Sequence, residues 1–204
     1  MLLFIGRRFA LMVLTMIIVS LLLFILLELQ PGSVATKVLG PYSSEEQRHL
    51  WLEANGYLEP LWTRYLDWLG GMVTGDFGES VRFKTPVADI LWPRLWNTAI
   101  LAFWTFAILI PLSLTLGVLA GMREGSALDR AISITSIITT SIPEFASAVF
   151  LSALFVFSLG LLPGTSGMTD GFDPLQLFLP VMVLILYDVG YVTRMTRASM
   201  AEVM

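Results

Sequence analysis

The chain has 204 residues, of which 56% are hydrophobic and only 14% charged, and its mean hydropathy is +0.78, far more apolar than a soluble domain. Cysteine is absent and His49 is the one histidine, which excludes thiolate zinc sites, disulfide frameworks and Cys/His nucleophilic pairs. The formal charge of -4 comes without a basic run, so nucleic-acid binding has no electrostatic footprint.

The first element is a charge-free apolar run from Phe9 to Leu27 behind Arg7 and Arg8, long enough for a membrane helix. A cleaved signal peptide is the competing reading. The run is long for one, however, and it ends in Leu-Glu-Leu-Gln-Pro rather than in small residues.

From residue 31 to 96 the composition changes: charges are frequent, apolar residues become periodic and turn residues appear. This predicts a small external helical segment. Ser43 and Ser44 precede Glu46 and Gln47 with capping-box spacing, and Asn55-Gly56 ends the helix that follows. A second helix is expected from Leu61 to Leu69, broken by Gly70, Gly71, Gly75 and Gly78. Thr85-Pro86 is read as the cap of a short helix, and Trp92, Pro93 and Trp96 as the entry to the next span. His49 lies on a surface helix without ligand partners nearby in sequence and is assigned no role.

Further spans are predicted from Asn97 to Ala120, from Ala131 to Leu159 with an interruption at Pro143 and Glu144, and from Leu175 to Val192. Arg7, Arg8, Arg123, Arg130, Arg194 and Arg197 fall on one side of these spans. The short loop from Gly160 to Pro174 on the other side has no Lys or Arg but carries Asp170 and Asp173. The positive-inside rule therefore places the N-terminus, the Gly121–Arg130 loop and the C-terminal end in the cytoplasm. The expected fold is an all-α polytopic membrane protein of about four transmembrane helices. Its parts are a cytoplasmic N-terminus and first helix over residues 1–30, the external segment over 31–96, and a transmembrane part over 97–204.

Polar residues inside the spans are the candidate functional groups. Ser133, Ser136 and Thr140 share one helical face, with Thr139 beside it. They either line a path or bond to their own helix and its neighbours. Glu144 would lie about 20 Å into the bilayer on a continuous helix, as a carboxylate facing a path. If the span instead begins at Pro143, Glu144 becomes a first-turn acid near the cytoplasmic face, favoured by the helix dipole. Asp188 either lines the path or pairs or snorkels toward the interface, with Arg194 about 9 Å further along the axis. Gly117 and Gly121 have the small-xxx-small spacing of close helix packing. Arg194, Arg197 and Glu202 are expected to face the cytosol.

The order of these pieces resembles the permease subunits of the dipeptide, oligopeptide and nickel family of ABC importers, over nearly the whole chain. The resemblance rests on Leu29-Gln30-Pro31-Gly32, Tyr65-Leu66-Asp67-Trp68-Leu69, Gly75-Asp76-Phe77-Gly78-Glu79-Ser80 and Leu128-Asp129-Arg130. It continues through Ser141-Ile142-Pro143, Leu161-Leu162-Pro163 and Thr193-Arg194-Met195-Thr196-Arg197-Ala198-Ser199-Met200. It implies a subunit without catalysis or cofactor of its own, paired in the lipid bilayer with a second permease. Two cytoplasmic ATPases would bind the ATP and magnesium, and an external substrate-binding protein would deliver the solute. Members of the family usually continue for roughly two more membrane helices, and a coupling loop lies just past the Thr-Arg-Ala-Ser stretch, so this chain is expected to stop before it. By the same resemblance, Arg194, Arg197 and Glu202 are candidates for facing the ATPase. A secondary carrier fragment and a non-transporting tetraspan scaffold are the rival readings. The carrier lacks the internal repeats usual for its class. An intramembrane hydrolase would need a serine, acid and histidine set within the spans, and the sequence has none.

Overall fold

A computed structural model describes residues 1–28, 34–168 and 171–203. The motif at residues 29–32, Asp170 and Met204 lie outside them. The described chain is helical: α1 (Leu2–Glu28), α2 (Val34–Leu39), α3 (Glu45–Ala54), α4 (Leu61–Thr74), α5 (Val87–Gly121), α6 (Ala127–Ser141), α7 (Glu144–Ser152) and α8 (Pro174–Val203). A π-helical segment, Ala153–Ser158, continues α7. An antiparallel bridge between Glu79 and Pro86 is the β pairing found among the described residues. The helices α1, α5 and α8 are long and apolar enough to cross a membrane, and the bent pair of α6 with α7 makes a fourth crossing if it counts as one broken span. The chain divides into two compact units, Met1–Leu91 and Trp92–Met204.

In the first unit, α1 is apolar all round and leaves large side chains such as Phe9, Leu14, Leu22 and Leu27 exposed, the pattern of a helix solvated by lipid. Its C-terminal half is held by α4. Tyr65 is buried, and its hydroxyl meets the Ser20 hydroxyl at 2.8 Å and donates to the Ile17 carbonyl at 3.2 Å. The Phe24, Tyr65 and Trp68 rings pack with centroids 5.5 to 6.1 Å apart. At the end of α1, Arg64 donates to both Glu28 carboxylate oxygens at 2.6 and 2.9 Å and lies over the Tyr57 ring. The predicted capping box forms at α3: Ser44 accepts from the Gln47 N–H while the Gln47 side chain accepts from the Ser44 N–H.

Two expectations for this region are corrected. Gly70 and Gly71 do not break the second external helix, because α4 runs through them to Thr74 and is stopped by Gly75 at φ +86°. A glycine inside a helix costs only about 1 kcal/mol; termination comes from the left-handed residue. At Gly71 the reason for glycine is a close approach, since a Cβ there would stand 2.8 Å from the Asp76 carbonyl oxygen of the returning chain. Nor does Thr85-Pro86 open a separate short helix. The 35-residue α5 begins at Val87 and continues through Pro93 and Pro111.

In the second unit, α8 packs against α6 and α7. The interruption predicted in the third span is a full break: α6 ends at Ser141, Ile142 is extended at φ -92° and ψ 122°, and α7 leaves at a 90° angle. Pro143 supplies no N–H to continue the α6 ladder and favours an extended preceding residue. The 15-residue α6 spans about 22 Å, short of the roughly 30 Å hydrocarbon core. Between the π-helical segment and α8 the chain folds back, so that Met168 is buried beside Leu177 and Val181, with Asn97 donating to the Gly167 carbonyl at 3.0 Å.

Candidate functional site

One face of α8 carries the contacts that assemble the second unit. Gly190 lies against α6, where a Cβ would meet Thr139 Oγ1, the Ser136 carbonyl oxygen and Thr140 Cγ2. One turn on, Thr193 is almost fully buried and its hydroxyl donates to the Ser113 carbonyl of α5 at 3.4 Å. Another turn on, Gly117 admits Thr196, and Gly121 admits Met200. Residues 190, 193, 196/197 and 200 follow the three-to-four spacing of one helical stripe, so small side chains on α5 and α8 set the helix separation.

The hydroxyl residues of α6 belong to this seam. Thr139 and Thr140 both donate to the Ser136 carbonyl, at 3.1 and 2.8 Å, and Ser136 is buried. Ser133 donates to Asp129 at 3.3 Å. In this arrangement the three hydroxyls already have acceptors within their own helix: the Asp129 carboxylate for Ser133, and for Thr139 and Thr140 a backbone carbonyl, the back-bonding available to Ser and Thr.

At the end of the seam lies a charged corner. Asp129 stands in the first turn of α6 behind its N-cap Ser126 and is only 3% exposed. Its oxygens accept from Arg197 Nε at 2.5 Å, Arg197 Nη2 at 2.8 Å, the Gly125 N–H at 2.9 Å and the Ser133 hydroxyl. Glu124 lies 3.7 Å from the same guanidinium. Two-point pairing of this kind fixes orientation as well as charge. Of the three predicted cytosol-facing residues, Arg194 and Glu202 are exposed, whereas Arg197 is turned into this pair. Asp129 was not singled out as a site residue from sequence, although it lies in the Leu128-Asp129-Arg130 stretch. Gly190 and Thr193 were missed as well; their spacing with Arg197 on α8 was the available signal.

Glu144 is exposed in the first turn of α7, directly after Pro143. The continuous helix that would have carried it about 20 Å along α6 is absent. Asp188 is half-buried on α8 and forms no ion pair with Arg194 among the described residues. A cleft of about 370 Å³ separates α7 from α8, lined by Ala148, Ser152, Thr165, Ser166, Gln176 and Leu184 among others, with no charged side chain. Glu144 precedes Ala148 by one turn and Asp188 follows Leu184 by one turn, so each extends a cleft-lining face. The described residues contain no cluster of three His, Cys, Asp or Glu side chains able to hold a metal ion.

The sequence matches two family descriptions: "Binding-prot-dependent transport system membrane comp, N-term" over residues 1–102 and "Binding-protein-dependent transport system inner membrane component" over residues 113–204. It is 34% identical over 209 residues to the "Oligopeptide transport system permease protein AppB" of Bacillus subtilis, covering 98% of this chain and 66% of that protein. To the "Probable peptide ABC transporter permease protein y4tP" of Sinorhizobium fredii it is 33% identical over 205 residues, with the same coverages. To the "Metal-staphylopine import system permease protein CntB" of Staphylococcus aureus it is 32% identical over 203 residues, covering 98% of this chain and 64% of that one. The chain thus spans about two thirds of the length of these relatives.

Proposed function

Because the chain belongs to the family of inner membrane components of binding-protein-dependent transport systems, we propose that it is a permease subunit of an ATP-driven ABC importer, contributing half of a path for peptides or similar small solutes. The observation that carries this reading is the alignment of 98% of the chain with peptide permeases, on a fold with three helices able to span a bilayer. Its partners are a second permease, two cytoplasmic ATPases that bind ATP and magnesium, and an external binding protein. The chain itself performs no catalysis. The N-terminus, the α5–α6 turn and the end of α8 face the cytoplasm, as the arginine asymmetry requires, and the segment from α2 to α4 faces outward. The α7–α8 cleft is the stretch of path this subunit supplies, with Glu144 and Asp188 beside its cytoplasmic end. There a carboxylate favours cationic groups of a passing solute.

The test is isolation of the assembled transporter from its native membrane, followed by ATP-dependent uptake in vesicles. Peptide uptake that requires this subunit supports the reading; failure to recover an ATPase with it refutes it. Glu144→Gln, at an exposed position, is expected to change uptake kinetics without loss of assembly, and unchanged kinetics would remove Glu144 from the path. The cysteine-free sequence permits a direct topology test. A cysteine replacing the fully exposed Tyr42 should react with an impermeant reagent in intact cells and one replacing Met122 should not; the opposite pattern would invert the orientation.

A further inference from the structure

The contacts around Asp129 join three segments distant in sequence. The α5–α6 turn reaches it through the Gly125 N–H, α6 through its own first turn and the Ser133 hydroxyl, and α8 through both donors of Arg197. Beside it, Gly121 lies against Met200 and the Arg197 carbonyl, so the last two turns of α8 meet α5 over a glycine. Beyond Thr193 the described α8 residues are small, polar or exposed except Met200, which is half-buried against Gly121. Among the described residues, Arg197 is the side chain through which this part of α8 forms ion pairs.

At its other end, α6 meets α7 through Ile142 and Pro143, the 90° break that lies next to Glu144. If α6 and the end of α8 move together, displacement of either is passed to that two-residue joint and to the cleft beyond it, since a proline-broken junction has no continuous ladder to resist bending. We propose that Asp129 is a positioning residue for energy coupling: through Arg197 it clamps the end of α8 to the α5–α6 turn, so that a push on this corner moves α6 and α8 as one body and bends the chain at Ile142–Pro143. This rests on the permease reading above.

The clamp is tested in the complete transporter, reconstituted in vesicles, by the number of ATP molecules hydrolysed per solute imported, together with a spin-label distance between cysteines replacing Met122 on the turn and Val203 at the end of α8. Both positions are exposed. In the wild-type background one narrow distance is expected, equal with and without trapped nucleotide. Asp129→Asn should broaden it and raise the ATP cost per solute severalfold, in complexes that assemble in normal amount. A purely structural role would lower the amount of complex and leave the ratio per complex unchanged. Arg197→Lys keeps the charge but loses the two-point geometry; it should give a smaller rise, and it carries the test if Asp129→Asn does not assemble. An unchanged ratio with an unchanged narrow distance in an assembled variant overturns the clamp and leaves the permease reading intact. A wild-type distance that changes with nucleotide also overturns it. Absence of ATP-dependent uptake by the wild type refutes the permease reading and the clamp with it.

Discussion

Replacement of Gly190 by alanine tests whether the α6–α8 seam sets the stability of the second unit. The added Cβ would lie 2.7 Å from the Ser136 carbonyl oxygen and 3.1 Å from Thr140 Cγ2, and it would also press on Thr139 Oγ1. Ordinary contact begins near 3.4 Å, so the carbonyl contact is short by 3.4 - 2.7, about 0.7 Å. That oxygen is backbone in the middle of α6, and Thr139 is held by its own hydrogen bond. Neither can rotate away, so α8 itself must shift. Overpacking of this kind costs about 1–3 kcal/mol, and the backbone partner puts it at the upper end. Against that stands a gain of about 0.8–1 kcal/mol for removing a glycine from a helix interior. The net loss is about 2 kcal/mol, or about 4–8 °C in Tm for a chain of this length. Thermal unfolding in detergent micelles, followed by circular dichroism, measures it. Gly6→Ala is the control, because nothing lies within 4 Å of its added Cβ; it should raise Tm slightly. Equal effects of the two substitutions, or no fall for Gly190→Ala, would refute the argument that backbone proximity at the seam governs stability.

In the first unit, Glu28→Gln should cost about 1–3 kcal/mol, because it leaves the Arg64 guanidinium, 14% exposed, without its counter-charge; a double-mutant cycle with Arg64→Met in chemical unfolding should be strongly non-additive. Ser44→Ala removes the α3 N-cap and is expected to destabilise that helix by about 1 kcal/mol, seen as faster hydrogen exchange at α3 amides and not at α8. Thr105 is buried on α5 with a hydroxyl that has no hydrogen-bond partner among the described residues. Thr105→Val should therefore be neutral or raise stability by up to about 1 kcal/mol, and a fall in Tm would reveal a partner for that oxygen.

The architecture was largely legible in the sequence, because a bilayer asks simple questions of a chain. Runs as apolar as Phe9–Leu27 or Leu175–Val192 have one low-energy home, and their backbone must be helical there to satisfy its hydrogen bonds. Capping at Ser44 was equally readable, since it depends on residues three apart. Gly70 and Gly71 of α4 and Pro93 of α5 misled for a shared reason: their local cost of one to a few kcal/mol, by the usual scales about 1 for Gly and about 3 for Pro, is smaller than what a long buried or lipid-solvated helix recovers. Tertiary structure alone decided the rest. Whether Glu144 sat deep on one helix or at the start of another turned on the 90° break at Pro143, since a proline can bend a helix or end it. Arg197 and Asp129 are 68 positions apart. Nothing periodic in either segment pairs a charge at the end of α8 with one at the start of α6 until Gly117, Gly121 and Gly190 bring those helices close enough for the two groups to share their hydrogen bonds.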